Sequence, residues 1–590
     1  MMLPHTWSRI CFGCDCPNHY IPSKFSCSEE TDAGLTFESL LRSNDAPSPS
    51  EECKLRDSVS VGEARIAAVD NHVAALKELQ QALSNQLALI GAELEGLSSE
   101  RGKVVARIAE HKRLLSSVRR LPPEILFKIF LGTVIFPMPR TQSQRDRYWW
   151  NFHPSKSSLW SIELVCKTWR RAVLDFPELW SSINISVNSD NFLPSEFRYV
   201  RQLARQVART RCHPLSILIC DSCETLASLR SLPLQLSTLL FSMQDRIQSL
   251  YLYLPAAMFD AVATLQLHLP ILRKLTLLST NGEEFQKLSG MKLFGDTPLL
   301  NVLDTVDIQC IVSALNLPYH QITHYSTYHV FHHRRNPGPS TINILWFLSE
   351  TRNIEACDLR CEVKATSTID TLEVENLSQT CSKLQTLALS SWAYAYPSSV
   401  LAQLLNALTL PRLSTLEVHC CVDEGHVRDT AETFTAIRGA ICRSQSPLTT
   451  FHFTHGNIDE EDLLALFLGA SSTLQEVKLL DVGPMALTDN ILIPLVVSDA
   501  DNVLLPRLHT LHISGEMRFD VNLLVEMVES RWTCKVPSFR RLRTIVLRRS
   551  LDIEGDREEE ELARALAFSK LEEYCTEGLE LSYSIHHQFI

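Results

Sequence analysis

Pro411-Arg412-Leu413-Ser414-Thr415-Leu416-Glu417-Val418 sets an apolar residue, two others, a second apolar residue, one other, and a third. The same phrase recurs at Ile247/Leu250/Leu252, Leu272/Leu275/Leu277, Ile354/Cys357/Leu359, Leu384/Leu387/Leu389, Leu448/Phe451/Phe453, Leu474/Val477/Leu479, Leu508/Leu511/Ile513 and Leu542/Ile545/Leu547. Weaker copies begin at Leu300 and Ile322, and the starts lie roughly 22 to 35 residues apart, the spacing of an irregular repeat. Proline stands just before several copies, as at Pro270, Pro411 and Pro506, where it punctuates the loop without removing a donor from the strand.

This phrase is the strand signature of leucine-rich repeats, and it predicts one α/β solenoid over residues 195–590. Helical stretches between copies, such as Val400 to Leu408 and Glu460 to Leu468, carry the apolar residues that cover the strand layer. Each unit is half a core, and stacking completes the burial. An acidic helix from Asp556 to Tyr574 is the expected polar cap. Such a curved solenoid offers a long concave surface for a protein target of unknown identity.

Upstream the periodicity changes. Ile66, Val69, Val73, Leu76, Leu83, Leu87, Ile90, Leu94, Leu97, Val104, Ile108, Leu115 and Val118 alternate steps of three and four, broken only at Gln80, Arg101 and His111. That is a heptad seam, and it predicts a coiled-coil helix over residues 61–119. One helix cannot bury such a stripe alone. Self-association buries it, and so does a hairpin bending at Gly91, Gly96 or Gly102, each of which costs about 1 kcal/mol inside a helix. Residues 1–60 mix cysteine, proline, serine and acids without period and read as a mostly disordered leader, with Asn44 to Ser50 a turn-rich tract.

Between seam and array, Leu121-Pro122-Pro123-Glu124-Ile125-Leu126-Phe127-Lys128-Ile129-Phe130 starts a helix, with Pro123 suited to its first turn and Glu124 to its positive end. Pro137 and Pro139 stop it, and Thr141 to Ser158 reads as an inserted loop. Helical spacing resumes from Leu159 to Phe176, and Pro177 closes a small all-α domain over residues 120–185.

Leu121-Pro122, then Val165-Cys166-Lys167-Thr168-Trp169-Arg170, then Pro177-Glu178-Leu179-Trp180 follow one another in an order and spacing that resemble the F-box. The run of a coiled coil into this motif through Ser117-Val118-Arg119-Arg120 is similar to the large F-box-like families of mushroom-forming fungi, over roughly residues 37 to 220. The loop around Tyr148 to His153 is longer than in compact F-boxes. The resemblance implies a domain that binds a Skp-type adaptor, which joins a cullin ligase core. Leu121, Pro122, Ile125, Leu126, Ile129, Leu164, Val165 and Trp169 are then the expected adaptor-binding residues, a helix-in-groove surface. Leu126, Ile129 and Trp169 fit the core of a three-helix domain equally well.

The chain therefore reads as α plus α/β solenoid, and as the substrate-recognition adaptor of a Skp-cullin-F-box ubiquitin ligase. A protein-interaction scaffold with no ligase attached is the alternative. Phosphate-cradling loops, nucleophile elbows and zincin helices are absent in their defining forms, and 19 glycines in 590 residues leave few tight loops for a cofactor. We expect neither catalysis nor a cofactor. A formal charge of −12 with no basic stripe disfavours nucleic acid. The longest apolar runs, such as Leu463 to Leu468, cannot span a bilayer, so a cytoplasmic or nuclear protein is expected.

Hydrophobic residues make up 45% and charged residues 21%, an ordinary globular balance, and most of the 18 cysteines sit in apolar repeats as small hydrophobes. Three clusters leave a choice. Cys11, Cys14, Cys16, His19 and Cys27 have zinc-ligand types without a second paired knuckle, so exposed thiols in the leader are the simpler reading. His320, His324, His329, His332 and His333, with Tyr319, Tyr325, Tyr328, Arg334 and Arg335, form a target-reading rim, an ordinary loop or a metal site, the last disfavoured because strand alternation would split the imidazoles across two faces. Tyr148, Trp149, Trp150 and Phe152 form a lid over the small domain or an exposed partner anchor.

Overall fold

The structure, a computed structural model, describes residues 7–9, 20–22, 38–43, 45–134, 158–186, 197–220, 234–279, 290–306, 308, 311–328, 339–360, 378–391, 399–420, 430–456, 458–482, 487–497, 503–515, 517–534, 536, 539–551 and 568–587. It divides into two units, residues 1–122 and 123–590.

In the first unit, β1 (Trp7–Arg9) pairs antiparallel with β2 (Tyr20–Pro22), and α1 (Glu38–Ser43) precedes α2 (Pro49–Leu114). Helix α2 thus starts well before residue 61. Ser48 is the reason. Its hydroxyl accepts the Glu51 N–H at 3.4 Å while the Glu51 carboxylate accepts the Ser48 N–H at 2.9 Å, a capping box with Pro49 in the first turn.

Helix α2 runs unbroken through Gly91, Gly96 and Gly102, where an added Cβ would meet nothing. The hairpin reading fails: α2 is a single rod of 66 residues, about 100 Å long. None of its residues is buried. A 3-10 turn (Ser117–Arg120) follows, and Leu121, half-buried, and Pro122, exposed, close the unit.

The second unit opens with α3 (Pro123–Leu131), α4 (Ser158–Ile162), α5 (Lys167–Asp175) and a 3-10 turn (Pro177–Trp180). There follow β3 (Ser182–Ser186), α6 (Phe197–Arg209), β4 (Leu215–Cys220), α7 (Leu234–Met243), β5 (Ile247–Leu254), α8 (Ala256–Thr264), β6 (Lys274–Ser279), β7 (Val302–Val306), α9 (Ile311–Ala314), β8 (His324–Tyr328), α10 (Thr341–Glu350) and β9 (Ala356–Arg360). Next come β10 (Gln379–Thr380), β11 (Thr386–Ser391), α11 (Ser399–Ala407), β12 (Leu408–Thr409), β13 (Thr415–Cys420), α12 (Ala431–Ser444), β14 (Thr450–Gly456), α13 (Glu460–Gly469) and β15 (Glu476–Val482). Last are α14 (Asp489–Leu492), β16 (Thr510–Gly515), α15 (Val521–Thr533), β17 (Thr544–Leu551), α16 (Glu572–Thr576) and β18 (Glu580–His587).

All of these strands except the short pair β10 and β12 form one 14-stranded sheet in chain order, and every pairing in it is parallel. Among the described residues helices lie in most of the crossovers, though none is described between β6 and β7 or between β9 and β11, in keeping with the long connections that parallel pairing needs. This is a solenoid-like α/β arrangement. The repeated phrase explains its register: Leu387, Leu416, Phe451, Val477, Leu511 and Ile545 face one another across successive strands and all are buried.

The residue after each leading apolar position binds its neighbours through the backbone. The Arg273 N–H donates to Gln248 O at 2.8 Å, and the same link passes through Asn301, Thr323, Glu355, Gln385, Ser414, Thr449, Gln475, His509 and Arg543 to Glu580, at 2.7–3.0 Å throughout. Repeats of unequal length are thereby held in one register.

Three arginines tie a helix back to the preceding repeat. Arg246 reaches His213 O at 3.0 Å, Arg443 reaches Leu405 O and Leu408 O at 2.8 and 2.7 Å, and the fully buried Arg531 reaches Leu495 O, Leu504 O and Leu505 O. Burial pushes the Arg531 guanidinium down to about 10, so it stays charged at neutral pH. Cys357, Cys381 and Cys420 sit in the core, where burial pushes the Cys381 thiol up to about 11.

Two expectations at the ends of the array change. The sheet already starts at β3, inside the segment read as purely helical, and it ends on the edge strand β18. Of the acidic helical cap, residues 552–567 lie outside the described residues, and what is described is the five-residue α16. Among the described residues no helix is long and apolar enough to cross a membrane.

Candidate functional site

Helix α3 carries two apolar faces one residue apart. Leu126 and Phe130, a turn apart, are each 1% exposed. Ile125 and Ile129, also a turn apart, are 41% and 49% exposed. The spacing of four residues puts each pair on its own stripe, so one stripe builds the domain and the other meets solvent.

Aromatic pairs fix the inner stripe. The Phe130 ring meets Trp169 edge-on at 5.1 Å, Phe127 meets Phe176 at 4.6 Å, and Trp160 meets Trp180 edge-on at 4.9 Å. The Trp180 indole N–H donates to Val173 O at 2.8 Å. Such contacts are favoured by ring electrostatics beyond their buried area. Where α3 ends, the Ser158 hydroxyl lies 3.0 Å from Thr133 Oγ1. The two sides of the inserted segment are therefore drawn together, and the first helix packs closely on the rest. The insertion itself, with Pro137, Pro139, Tyr148, Trp149, Trp150, Phe152 and His153, lies outside the described residues.

Leu164 and Val165 form the turn between α4 and α5 and are 81% and 59% exposed. Cys166 then starts α5 as its cap, with extended backbone and Sγ accepting the Trp169 N–H at 3.5 Å. The Cys-x-x-Trp spacing is thus a cap-to-N3 spacing. Trp169 is half-buried and Leu126 belongs to the core, whereas Ile125, Ile129, Leu164 and Val165 all lie on the surface of one small domain.

Arg209 was not foreseen from sequence. It forms two hydrogen bonds to Glu163, Nη1 to Oε2 at 2.6 Å and Nη2 to Oε1 at 3.0 Å, while its guanidinium carbon lies 4.4 Å from the ring centres of both Trp160 and Trp180. Charge, fork geometry and flanking aromatic faces all suit arginine here. Gln206, on the same helix, donates to Trp180 O at 3.2 Å and Ser182 O at 2.8 Å. Since α6 lies between β3 and β4, these contacts fasten the helical domain to the sheet. Glu163 and Arg209 are 46 residues apart, so no local signal announces the pair.

Of the other clusters the structure describes only a part. Tyr319 and Tyr325 are buried, the first donating to Leu315 O and the second packed 4.0 Å from Phe347, while His320 and His324 are exposed. His329, His332, His333, Arg334 and Arg335 lie outside the described residues, as do Cys11, Cys14, Cys16, His19 and Cys27. Among the described residues no group of three or more His, Cys, Asp or Glu side chains is placed to hold a metal ion.

Comparison with known protein families matches residues 118–186 to the family described as F-box-like. The match runs from the 3-10 turn before α3 to the end of β3, and it includes every residue of the apolar set described above. No curated protein matches the chain.

Proposed function

We propose that this chain is the substrate-recognition adaptor of a Skp-cullin-F-box type ubiquitin ligase. The F-box-like domain docks a Skp-type adaptor, the repeats, read as leucine-rich, hold the target, and the chain supplies proximity without catalysis. The carrying observation is that Ile125, Ile129, Leu164 and Val165 are exposed on a domain that buries Leu126, Phe130, Leu159, Ala172 and Val173. Exposed apolar clusters on one small domain mark interaction sites, and helical anchors of this kind suit a groove.

Capture of purified Skp-type adaptor by the full chain tests this. The paired substitution Ile125→Asp and Ile129→Asp is expected to abolish capture while the circular dichroism spectrum and melting temperature stay unchanged, because neither side chain contributes to the core. If the unsubstituted chain captures no adaptor, the scaffold reading replaces this one.

A further inference from the structure

We propose that α2 pairs with α2 of a second copy of this chain as an antiparallel coiled coil. The seam leaves Ile66, Leu87, Ile90, Leu94 and Leu97 exposed on a helix that buries none of its residues. An apolar stripe of that length needs a partner.

Charge chooses the partner and its direction. Residues 49–62 hold three acids against two bases, and residues 101–114, which the register below sets opposite them, hold five bases against one acid. A parallel pair would set basic end on basic end, with Arg101 facing Arg101 and Gln80 facing Gln80 in the seam. An antiparallel pair sets the basic end on the acidic end and opposes the helix dipoles.

The antiparallel register also fits by size. With Gln80 facing Leu83 of the other copy, Ile66 faces Leu97, Val73 faces Ile90, Leu76 faces Leu87 and Val69 faces Leu94. Arg101 then faces Gly62, where the missing side chain leaves room for the long stem to reach solvent. Each half of the helix complements the other half, which is what recognition of an identical chain requires.

Amine cross-linking and sedimentation of the full chain test this. Lys54 and Lys112 are 58 residues apart, about 87 Å along one helix, so a short reagent can join them only between two copies. The expected result is a dimer at micromolar concentration with a Lys54–Lys112 link. Substituting Leu87→Asp and Leu94→Asp should raise the dimer dissociation constant by about 100-fold or more, equivalent to two lost anchors. A monomer at all concentrations overturns the pairing. Homotypic Lys54–Lys54 and Lys112–Lys112 links without the mixed link overturn its direction, and a dimer indifferent to the two aspartates overturns the seam as its basis.

Discussion

Arg531 Nε donates to the Leu495 carbonyl oxygen at 2.7 Å, and the same guanidinium closes on Leu504 O at 2.5 Å and Leu505 O at 3.1 Å. One buried charge thus satisfies three carbonyls in the preceding crossover. Replacing it by methionine of similar length removes the side-chain donor of Leu495 O and Leu504 O, while Leu505 O keeps the Leu508 N–H at 3.1 Å. Arg531→Met is expected to cost about 3–5 kcal/mol, read as a lower denaturation midpoint, with amide protection lost first over residues 489–533.

Arg209→Ala removes a carboxylate fork and a cation held against two indoles. Exposure of the pair is partial, so the expected cost is about 2–3 kcal/mol. The loss should appear as earlier melting of the F-box-like domain, followed by tryptophan fluorescence from Trp160 and Trp180. Arg209→Lys should recover only part, because a lysine cannot form the two-pronged hydrogen-bond fork to Glu163.

On α3, adjacent residues should behave oppositely. Leu126→Ala is expected to lose about 2–4 kcal/mol of stability by opening a cavity. Ile129→Ala should change stability by less than about 0.5 kcal/mol yet weaken adaptor capture. Thermal melts beside the capture assay distinguish the two roles.

His512 gives the fold a pH dependence. Burial, together with Arg548, Lys478 and His452 nearby, holds its imidazole down to about 4 from the usual 6.5. Between those values the unfolded chain binds the proton and the folded chain resists it, so stability is full above pH 6.5 and falls as pH drops toward 4. His512→Gln should flatten the melting temperature over that window; an unchanged slope would assign the acid sensitivity to other groups.

The repeats were legible because strand burial has a period of two and the leading apolar residue recurs. Trp180, Ile183 and Ile185 carry the same phrase, but the F-box-like ending Pro177-Glu178-Leu179-Trp180 claims the same residues, which hides β3. Strand β4 lacks the leading position, since Pro214 stands three residues before Ile217. On α3 the apolar stripe was readable, yet which half faces inward depends on where Trp169 packs, and that is tertiary information. At Ser48 the signal was present: proline and serine around it suggest a turn by composition, whereas the serine-to-glutamate spacing is a helix start. The Arg209 and Glu163 pair was unreadable, because only the completed sheet brings α6 against α4.

The amide-to-carbonyl chain running from Gln248 to Glu580 makes each repeat a replaceable cassette. Duplicating or excising a whole unit would leave one such residue facing the next, so the array is free to lengthen or shorten over evolution. A single-residue insertion within a strand such as β14 has no such freedom, because it would turn the core-facing Phe453 toward solvent.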